Sequence, residues 1–177
     1  MPSIFLDRDG VINKKIDGGY VTTWKEFEWL PGSIDAIKLL SDQGWGIYVA
    51  TNQACVGKGI LKQDDLEYIH TLMIRELAKN GAKIKKVYFC PHTIETRCRC
   101  RKPNPGMLFT AAEENGLSLS NSYFIGDSIT DMQAANAAGM YGILINDAEQ
   151  MLNRKCYHKA RNLMEAANYI LKRAGSC

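Results

Sequence analysis

The 177-residue chain has the composition of an ordinary globular protein, with 46% hydrophobic and 23% charged residues. Its formal net charge of +3 is too small to indicate nucleic-acid or membrane binding, and no apolar run is long enough for a membrane-spanning helix. The N-terminal residues "MPSIFLDRDG" lack a basic segment followed by an apolar one, so we expect no secretion signal and a cytoplasmic protein. This length favours a single domain covering residues 1–177.

Short apolar runs rich in β-branched and aromatic residues alternate with segments whose apolar residues recur at helical spacing. In chain order we predict the strand Ser3–Leu6, the helix Ser33–Gly44, the strand Gly46–Ala50, the helix Gln63–Gly81, the strand Lys86–Cys90, the helix Pro105–Gly116, the strand Ser122–Gly126, the helix Ile129–Gly139, the strand Gly142–Ile145 and a final helix around Arg161–Lys172. This alternation predicts an α/β fold, a doubly wound, Rossmann-like parallel sheet with helices on both faces. The connections are too short for a separate cap domain.

Four polar motifs follow predicted strands or the loop after one. They are "DRDG" (7–10), "TNQ" (51–53), "RKPNPG" (101–106) and "GDSITD" (126–131). Alone, each is compatible with a turn or a helix cap. In a parallel sheet, however, the carboxyl ends of the strands meet at one edge, where ligands bind. We therefore expect these motifs to converge.

The acidic residues of these motifs predict a metal-assisted phosphoryl-transfer site. Asp7 and Asp9 are two positions apart in an extended segment and can point the same way. Together with Asp127 they would repel one another unless a hard dication such as Mg²⁺ joined them. One carboxylate could then attack phosphorus and another could relay protons, while Thr51 and Lys102 held the phosphoryl oxygens.

The segment "CPHTIETRCRC" places three cysteines and a histidine in one short basic loop. A disulfide, a nucleic-acid finger and a metal site all deserve comparison. Cys90, His92, Cys98 and Cys100 supply the four donors of a tetrahedral Zn²⁺ site, and reduced cysteines favour a metal over a disulfide. The ligand pairs of a finger are usually separated by a strand or helix. We therefore predict a structural Zn²⁺ that closes the loop.

The set Asp7-x-Asp9-Gly10, Thr51, Lys102 before a proline, and Gly126-Asp127-x-x-x-Asp131 resembles the motifs of the haloacid dehalogenase superfamily. Within that superfamily, "FLDRDGVIN", "TNQACVGKG" and "CRCRKPNPGM" are similar to the heptose bisphosphate phosphatase branch. The related histidinol-phosphatase branch shares much of this pattern. The resemblance covers the chain from Phe5 to about Ile145.

The resemblance implies a role for each matched catalytic residue. Asp7 is the nucleophile, and Asp9 is the general acid and then the general base. Mg²⁺ is held by the Asp7 carboxylate, the Asp9 backbone carbonyl and Asp127, and Asp131 supports that cluster without ligating the ion. Thr51 and Lys102 stabilise the transferring phosphoryl group.

The resemblance also implies which residues bind the substrate. These are Asp17, Gly18, Gly19, Tyr20, Asn52, Gln53, Lys58, Arg101 and Ser128. Lys58 stands where the family often has arginine, and Ser128 stands where it often has lysine. These two differences leave the implied chemistry intact and concern only substrate recognition.

The resemblance implies a Mg²⁺-dependent phosphatase that removes the 7-phosphate of a heptose 1,7-bisphosphate. We expect the protein to be a monomer. Its partner would be a small phosphorylated sugar, with neither nucleic acid nor a membrane. Histidinol phosphate is the alternative substrate, and a polynucleotide 3′-phosphate is the second alternative. A non-catalytic zinc-loop interaction module is a third interpretation, but it gives no reason for acidic residues at the other strand ends.

Overall fold

The computed structural model describes residues 2–145 and 157–175 as one parallel six-stranded sheet with helices packed on it. The strands are β1 (Ser3–Leu6), β2 (Gly46–Asn52), β3 (Lys86–Cys90), β4 (Tyr123–Gly126), β5 (Tyr141–Ile145) and β6 (Tyr157–Ala160). They lie in the order β3-β2-β1-β4-β5-β6, and every neighbouring pair is parallel. Because the order reverses direction at β1, the loops after β1 and β4 separate there and leave a crevice.

Helices cover both faces of the sheet. They are α1 (Ser33–Asp42), α2 (Ala54–Gly57), α3 (Gln63–Lys79), α4 (Gly106–Asn115), α5 (Ile129–Ala137) and α6 (Leu163–Ala174), with 3-10 turns at Trp24–Glu26, Ile94–Thr96 and Leu119–Asn121. Buried residues of α1, α3 and α6 form one core, and those of α4 and α5 form another. The expected doubly wound architecture is thus confirmed.

Strand β1 contributes to both cores because successive side chains of a strand point to opposite faces. Ile4 and Leu6 lie in the core with α1, α3 and α6, and Phe5 lies in the core with α4 and α5. All three side chains are fully buried. This central, rigid strand leads directly into "DRDG".

The structure differs from the predicted elements in several places, and it contains the short helix α2, which was not predicted. Strand β2 continues two residues further than predicted, to Asn52, so Thr51 lies within the strand. Strand β6 was not predicted, since "YHKA" has no apolar run, yet it pairs with β5 from Gly142 to Ile145. The final helix begins at Leu163, because the Asn162 side chain caps it by accepting from the Glu165 N–H at 2.9 Å.

The two long connections hold no additional layer. Residues 7–32 contain two isolated β-bridges and the first 3-10 turn, and residues 91–105 contain the second. No cap domain is formed in the described part of the chain, as expected. Within the described ranges, none of the helices is long and apolar enough to cross a membrane.

Candidate active site

Three carboxylates from two strand ends meet at the crevice. Asp7 follows β1, and its N–H donates to the Ile125 carbonyl at 2.9 Å. This hydrogen bond holds the start of the loop after β1 against the neighbouring strand β4. Asp127 and Asp131 follow β4, and the three side chains each offer a carboxylate oxygen within 4.8 Å of the others. Asp131 is fully buried in the first turn of α5, where its Oδ2 accepts from the Ser128 N–H at 3.0 Å.

A buried lysine lies among these carboxylates. The Nζ of Lys102 is 3.0 Å from Asp7 Oδ1 and 2.6 Å from Asp131 Oδ1, and it donates to the Ala50 carbonyl at 2.8 Å. Burial alone would lower the pKa of Lys102, but Asp131 and then Asp7 raise it above its ordinary value. The Asn52 side chain holds the backbone of Lys102 on both sides, with hydrogen bonds of 3.0 and 3.1 Å. Lys102 is therefore a fixed positive charge beside Asp7.

The carboxylates retain an excess of negative charge that fits a divalent cation. Burial raises the pKa of Asp7, Lys102 opposes this effect, and Asp131 and Asp127 add to it, so that the pKa reaches about 7. Asp127 Oδ1 is buried and has no hydrogen-bond partner in the described part of the chain. Gly10 leaves room for this carboxylate, since a Cβ there would lie 2.2 Å from Asp127 Oδ2. Closely spaced oxygen donors with an unpaired buried atom suit Mg²⁺.

Asp9 does not join the carboxylate cluster through its side chain. Its carboxylate accepts from Arg8 Nη2 at 3.0 Å, Asn13 Nδ2 at 2.9 Å and Gln53 Nε2 at 2.8 Å. Burial raises the pKa of Asp9, but Arg8 and the hydrogen bonds outweigh this effect and leave the pKa below its usual value. The side chain is 23% exposed and borders the same cavity as Asp7.

Sequence reasoning missed the support behind Asp9. Arg8 is fully buried, and its Nη1 lies 3.1 Å from Nε2 of His70 on α3. Burial, and then the Arg8 charge, lower the pKa of His70 to about 3. A neutral histidine can accept from the guanidinium, so α3 anchors Arg8 and Arg8 anchors Asp9. An arginine between two acids was the visible signal for this pairing, whereas nothing local marked His70.

A cavity of about 230 Å³ opens beside Asp7 and gathers most of the predicted site. Its lining includes Asp7, Asp9, Gly19, Tyr20, Thr51, Asn52, Arg101, Lys102, Asp127, Ser128 and Asp131, together with Lys15, Ile16, Val21 and Thr130, which sequence reasoning missed. Lys15 Nζ donates to Asp127 Oδ2 at 3.0 Å, although the side chain is 56% exposed. We call this space the catalytic cavity.

Four predicted substrate-binding residues do not line the catalytic cavity: Asp17, Gly18, Gln53 and Lys58. Gln53 is fully buried and donates to both Asp9 Oδ2 and Thr51 Oγ1, at 2.8 and 3.0 Å. Its position therefore suits orienting these two side chains. The Nζ of Lys58 lies 5.4 Å from the centre of the Tyr20 ring.

The four predicted zinc ligands come together in the loop after β3. Their donor atoms all lie within 4.8 Å of one another. The Cys100 Sγ is 3.2 Å from both Cys90 Sγ and His92 Nδ1, and 3.3 Å from Cys98 Sγ. These separations exceed a disulfide bond of about 2.05 Å. Four soft or borderline donors this close suit a tetrahedral ion.

The cysteine loop is connected to the catalytic cavity through Arg101. Its Nη1 donates to the carbonyl of His92 at 3.2 Å. Arg101 also borders the catalytic cavity, next to Lys102. An ion at the cysteines would thus fix the loop that carries two cations to the site.

Comparison with known proteins finds similar phosphatases. Residues 99–164 match the HAD-hydrolase-like family model. A D-glycero-beta-D-manno-heptose-1,7-bisphosphate 7-phosphatase of Rhodopseudomonas palustris is 40% identical over 148 residues, which cover 80% of this chain and 81% of that protein. A D-glycero-alpha-D-manno-heptose-1,7-bisphosphate 7-phosphatase of Campylobacter jejuni is 38% identical over 168 residues, which cover 95% of each chain.

A solved structure is similar over almost its full length. It is a D,D-heptose 1,7-bisphosphate phosphatase from B. bronchiseptica complexed with magnesium and phosphate. Its TM-score is 0.91 at 34% identity, and the match covers 98% of this chain and 99% of that one.

Proposed function

This chain belongs to the haloacid dehalogenase superfamily, and from that premise we propose that it removes the 7-phosphate of D-glycero-D-manno-heptose 1,7-bisphosphate. It is a phosphoric monoester hydrolase, as are the relatives that carry that substrate in their names. The observation that carries the proposal is Asp7, a carboxylate held beside the buried Lys102 ammonium at 3.0 Å at the edge of an open cavity. A nucleophile next to a fixed cation is what transfer of a phosphoryl group requires.

The proposed chemistry begins with attack of Asp7 on the phosphorus. One Asp7 oxygen forms the new P–O bond, and the bond to the sugar oxygen breaks. Lys102 offsets the charge on the phosphoryl oxygens, and Thr51 can donate its hydroxyl to one of them. Water then hydrolyses the aspartyl-phosphate and restores Asp7. Mg²⁺, which Asp7 and Asp127 would hold, supplies further neutralisation of the phosphoryl charge when bound.

Asp9 is the proposed proton carrier. It would protonate the departing sugar oxygen and later take a proton from the attacking water. In the present arrangement Arg8 favours the deprotonated carboxylate, so Asp9 takes up a proton from solvent in the cavity before it can act as the acid. We infer that the side chain turns from Arg8 toward the cavity when it exchanges a proton. The side chain of Asp9 is partly exposed and lines the cavity, which gives it contact with solvent there.

We also propose that Zn²⁺ binds the loop cysteines and His92 as a structural ion. All four positions are filled by the chain, so the ion needs no water and takes no part in the reaction. Its effect would be to hold Arg101 and Lys102 in place. The support for this proposal is the cluster of four donors and the hydrogen bond from Arg101 to the His92 carbonyl.

Phosphate release tests the function directly. We expect turnover with both anomers of heptose 1,7-bisphosphate to exceed turnover with histidinol phosphate and with a 3′-phosphorylated oligonucleotide. Phosphorus NMR of the product should show the 1-phosphate retained. Faster release from histidinol phosphate or the oligonucleotide would overturn the substrate assignment and leave the phosphatase chemistry in place.

A further inference from the structure

Lys15 brings an exposed positive charge into the catalytic cavity. Its Nζ donates to Asp127 Oδ2 at 3.0 Å, and its side chain is 56% exposed. The side chain of Asp127, a proposed magnesium ligand, is 11% exposed. Its other oxygen, Oδ1, is buried and has no hydrogen-bond partner within the described residues. The same carboxylate therefore holds a lysine at one oxygen and offers the other oxygen to an ion.

The backbone next to Lys15 is fixed, whereas the Lys15 side chain extends into solvent. The Lys14 N–H donates to the Glu28 carbonyl at 2.7 Å. The Lys14 carbonyl accepts from Asn13 Nδ2 at 2.9 Å. The side chain of Lys15 thus starts from a fixed point at the wall of the catalytic cavity, and its ammonium group can change partners without a movement of the backbone.

The two lysines that contact the carboxylates differ in how firmly they are held. Lys102 contacts Asp7, Asp131 and the Ala50 carbonyl, and its side chain is 2% exposed. A buried ammonium that left such partners would become an uncompensated charge, so Lys102 stays in place. Lys15 keeps its contact with water, and an exposed ion pair contributes little to stability. Lys15 is therefore the cation that can leave.

The charge balance of the site favours exchange of Lys15 for a divalent cation. Asp7, Asp127 and Asp131 carry three negative charges when ionised, and Lys102 and Lys15 offset two of them. A divalent ion would produce an excess of one positive charge if Lys15 stayed on Asp127, and a neutral site if Lys15 left. An ammonium group and a metal ion at the two oxygens of one carboxylate also repel each other.

We propose that Lys15 is a tethered cation that competes with magnesium for Asp127 and thereby sets the affinity of the site for the ion. Lys15 belongs to none of the four polar motifs of the sequence. At low magnesium concentration the ammonium group neutralises Asp127, and the ion binds once its concentration is high enough to displace Lys15. This inference rests on the proposed function only in taking magnesium as the ion at Asp7 and Asp127.

Calorimetric titration with magnesium chloride, without substrate, tests the competition. Lys15→Met keeps most of the length of the side chain and removes its charge. Lys14→Met is the matched control, since Lys14 is 64% exposed, pairs with Glu28 at 3.3 Å and does not line the catalytic cavity. We expect Lys15→Met to bind magnesium about fivefold more tightly than wild type, the factor by which a partly exposed ion pair shifts an equilibrium. Lys14→Met should bind it as wild type does.

Three results of this titration would overturn the proposal. Equal affinities in Lys15→Met and wild type would show that Lys15 does not compete with the ion. Weaker binding by Lys15→Met would show that Lys15 orients Asp127 for the ion and does not exclude it. Absence of magnesium binding by wild type would remove the ion for which Lys15 is proposed to compete.

Melting temperatures separate competition from a purely structural role of Lys15. Without added magnesium, Lys15→Met should melt below wild type, because Asp127 loses its partner. At saturating magnesium the two proteins should melt at the same temperature, because Lys15 no longer contacts Asp127 in wild type either. A difference that persists unchanged at saturating magnesium would assign Lys15 a structural role and contradict the proposal.

Phosphate release distinguishes failure of this proposal from failure of the proposed function. If wild type releases the 7-phosphate of the heptose bisphosphate but Lys15→Met binds magnesium no more tightly, the competition is wrong and the function stands. If Lys15→Met binds magnesium about fivefold more tightly but wild type releases no phosphate from the heptose substrate, the function is wrong and the competition stands.

Discussion

Asp7 lies between opposing influences on its charge. Burial and the carboxylates of Asp131 and Asp127 raise its pKa to about 7, and Lys102 at 3.0 Å opposes them. If Asp7 is protonated, or shares a proton with a neighbouring carboxylate, it is a weak nucleophile. The site therefore needs a second positive charge to keep Asp7 ionised. At the scale of single residues, the activity therefore depends on the ionisation of one carboxylate, which the neighbouring charges control.

Replacing Asp7 by asparagine tests its role as nucleophile. An amide oxygen cannot form the aspartyl-phosphate, so phosphate release should fall by roughly 10³-fold or more. The fold should persist, since asparagine has the same shape and removes one of several repelling charges. Steady-state kinetics and thermal unfolding measure both effects. Asp42→Asn, at an exposed residue at the end of α1, is the control, and retained activity in Asp7→Asn would contradict the mechanism.

Helix α3 reaches the site through one side chain. His70 is 5% exposed and meets the guanidinium of Arg8, which holds Asp9 with hydrogen bonds of 3.0 Å. At the scale of elements, helix α3 thereby fixes the orientation of Asp9, which lies in the loop after β1. The neutral state of His70 is part of this arrangement, because a protonated ring would have no acceptor for Arg8.

The buried histidine should make stability depend on pH. Its folded pKa of about 3 lies below the ordinary value of 6.5, so the unfolded chain binds a proton that the folded chain does not. This contribution to stability is complete above about pH 6.5 and is lost as pH falls toward 3, by up to about 1.4 kcal/mol per pH unit. Urea unfolding of wild type and His70→Gln between about pH 5 and 7 isolates it. We expect the difference between the two proteins to shrink as pH falls, and parallel curves would contradict this account.

The cysteine loop is the second element whose position matters. It connects β3 to Lys102 over residues 91–101, with one short 3-10 turn of its own. So short an irregular segment has little apolar burial to hold it, and an ion at four donors would supply that restraint. Arg101 and Lys102 follow Cys100, the last cysteine of the loop, directly.

Removing one cysteine ligand tests whether zinc binds the loop and whether the bound zinc affects substrate binding. We expect Cys98→Ser to lose bound zinc, to melt at a lower temperature and to raise KM for the sugar phosphate about tenfold or more. Arg99→Gln, which lies between two ligands, should keep its zinc and is the control. Elemental analysis, thermal unfolding and kinetics provide the three measurements. Zinc loss without a change in KM would limit the loop to a role in stability.

At the scale of the whole molecule, stability and metal binding should be linked. The sheet order brings Asp7 from β1 and Asp127 from β4 together, which places like charges in a buried crevice of the folded state only. Folding therefore carries an electrostatic cost that a divalent cation can offset. One sheet with a core on each face also supports our inference of a single domain.

Adding magnesium should raise the melting temperature of the whole chain. Binding to the folded state alone stabilises by about 2.7 kcal/mol at a concentration one hundred times the dissociation constant. Asp127→Asn removes a proposed ligand, so its melting temperature should respond less. Sodium chloride at equal ionic strength controls for screening. Equal magnesium responses in both proteins would show that the ion binds elsewhere.

Much of the architecture was predictable from local pattern. Buried parallel strands such as "SIFL" are continuous apolar runs bounded by turn residues, and that signal survives without tertiary information. The edge strand β6 was missed because half of "YHKA" is polar, and its pairing with β5 depends on the neighbouring strand. The site showed the same division, since Asp7, Asp127 and Lys102 belong to recognisable motifs, whereas Lys15 and His70 do not.

The sequence by itself determined the residue types, their spacing and the strand ends that carry them, because periodicity and turn chemistry are local properties. Only the tertiary structure decided which groups meet. It directed the Asp9 carboxylate to Arg8 and not to Asp7, and it placed Lys102 against Asp131. These outcomes depend on contacts between segments far apart in the chain, and burial then amplifies each charge by excluding water.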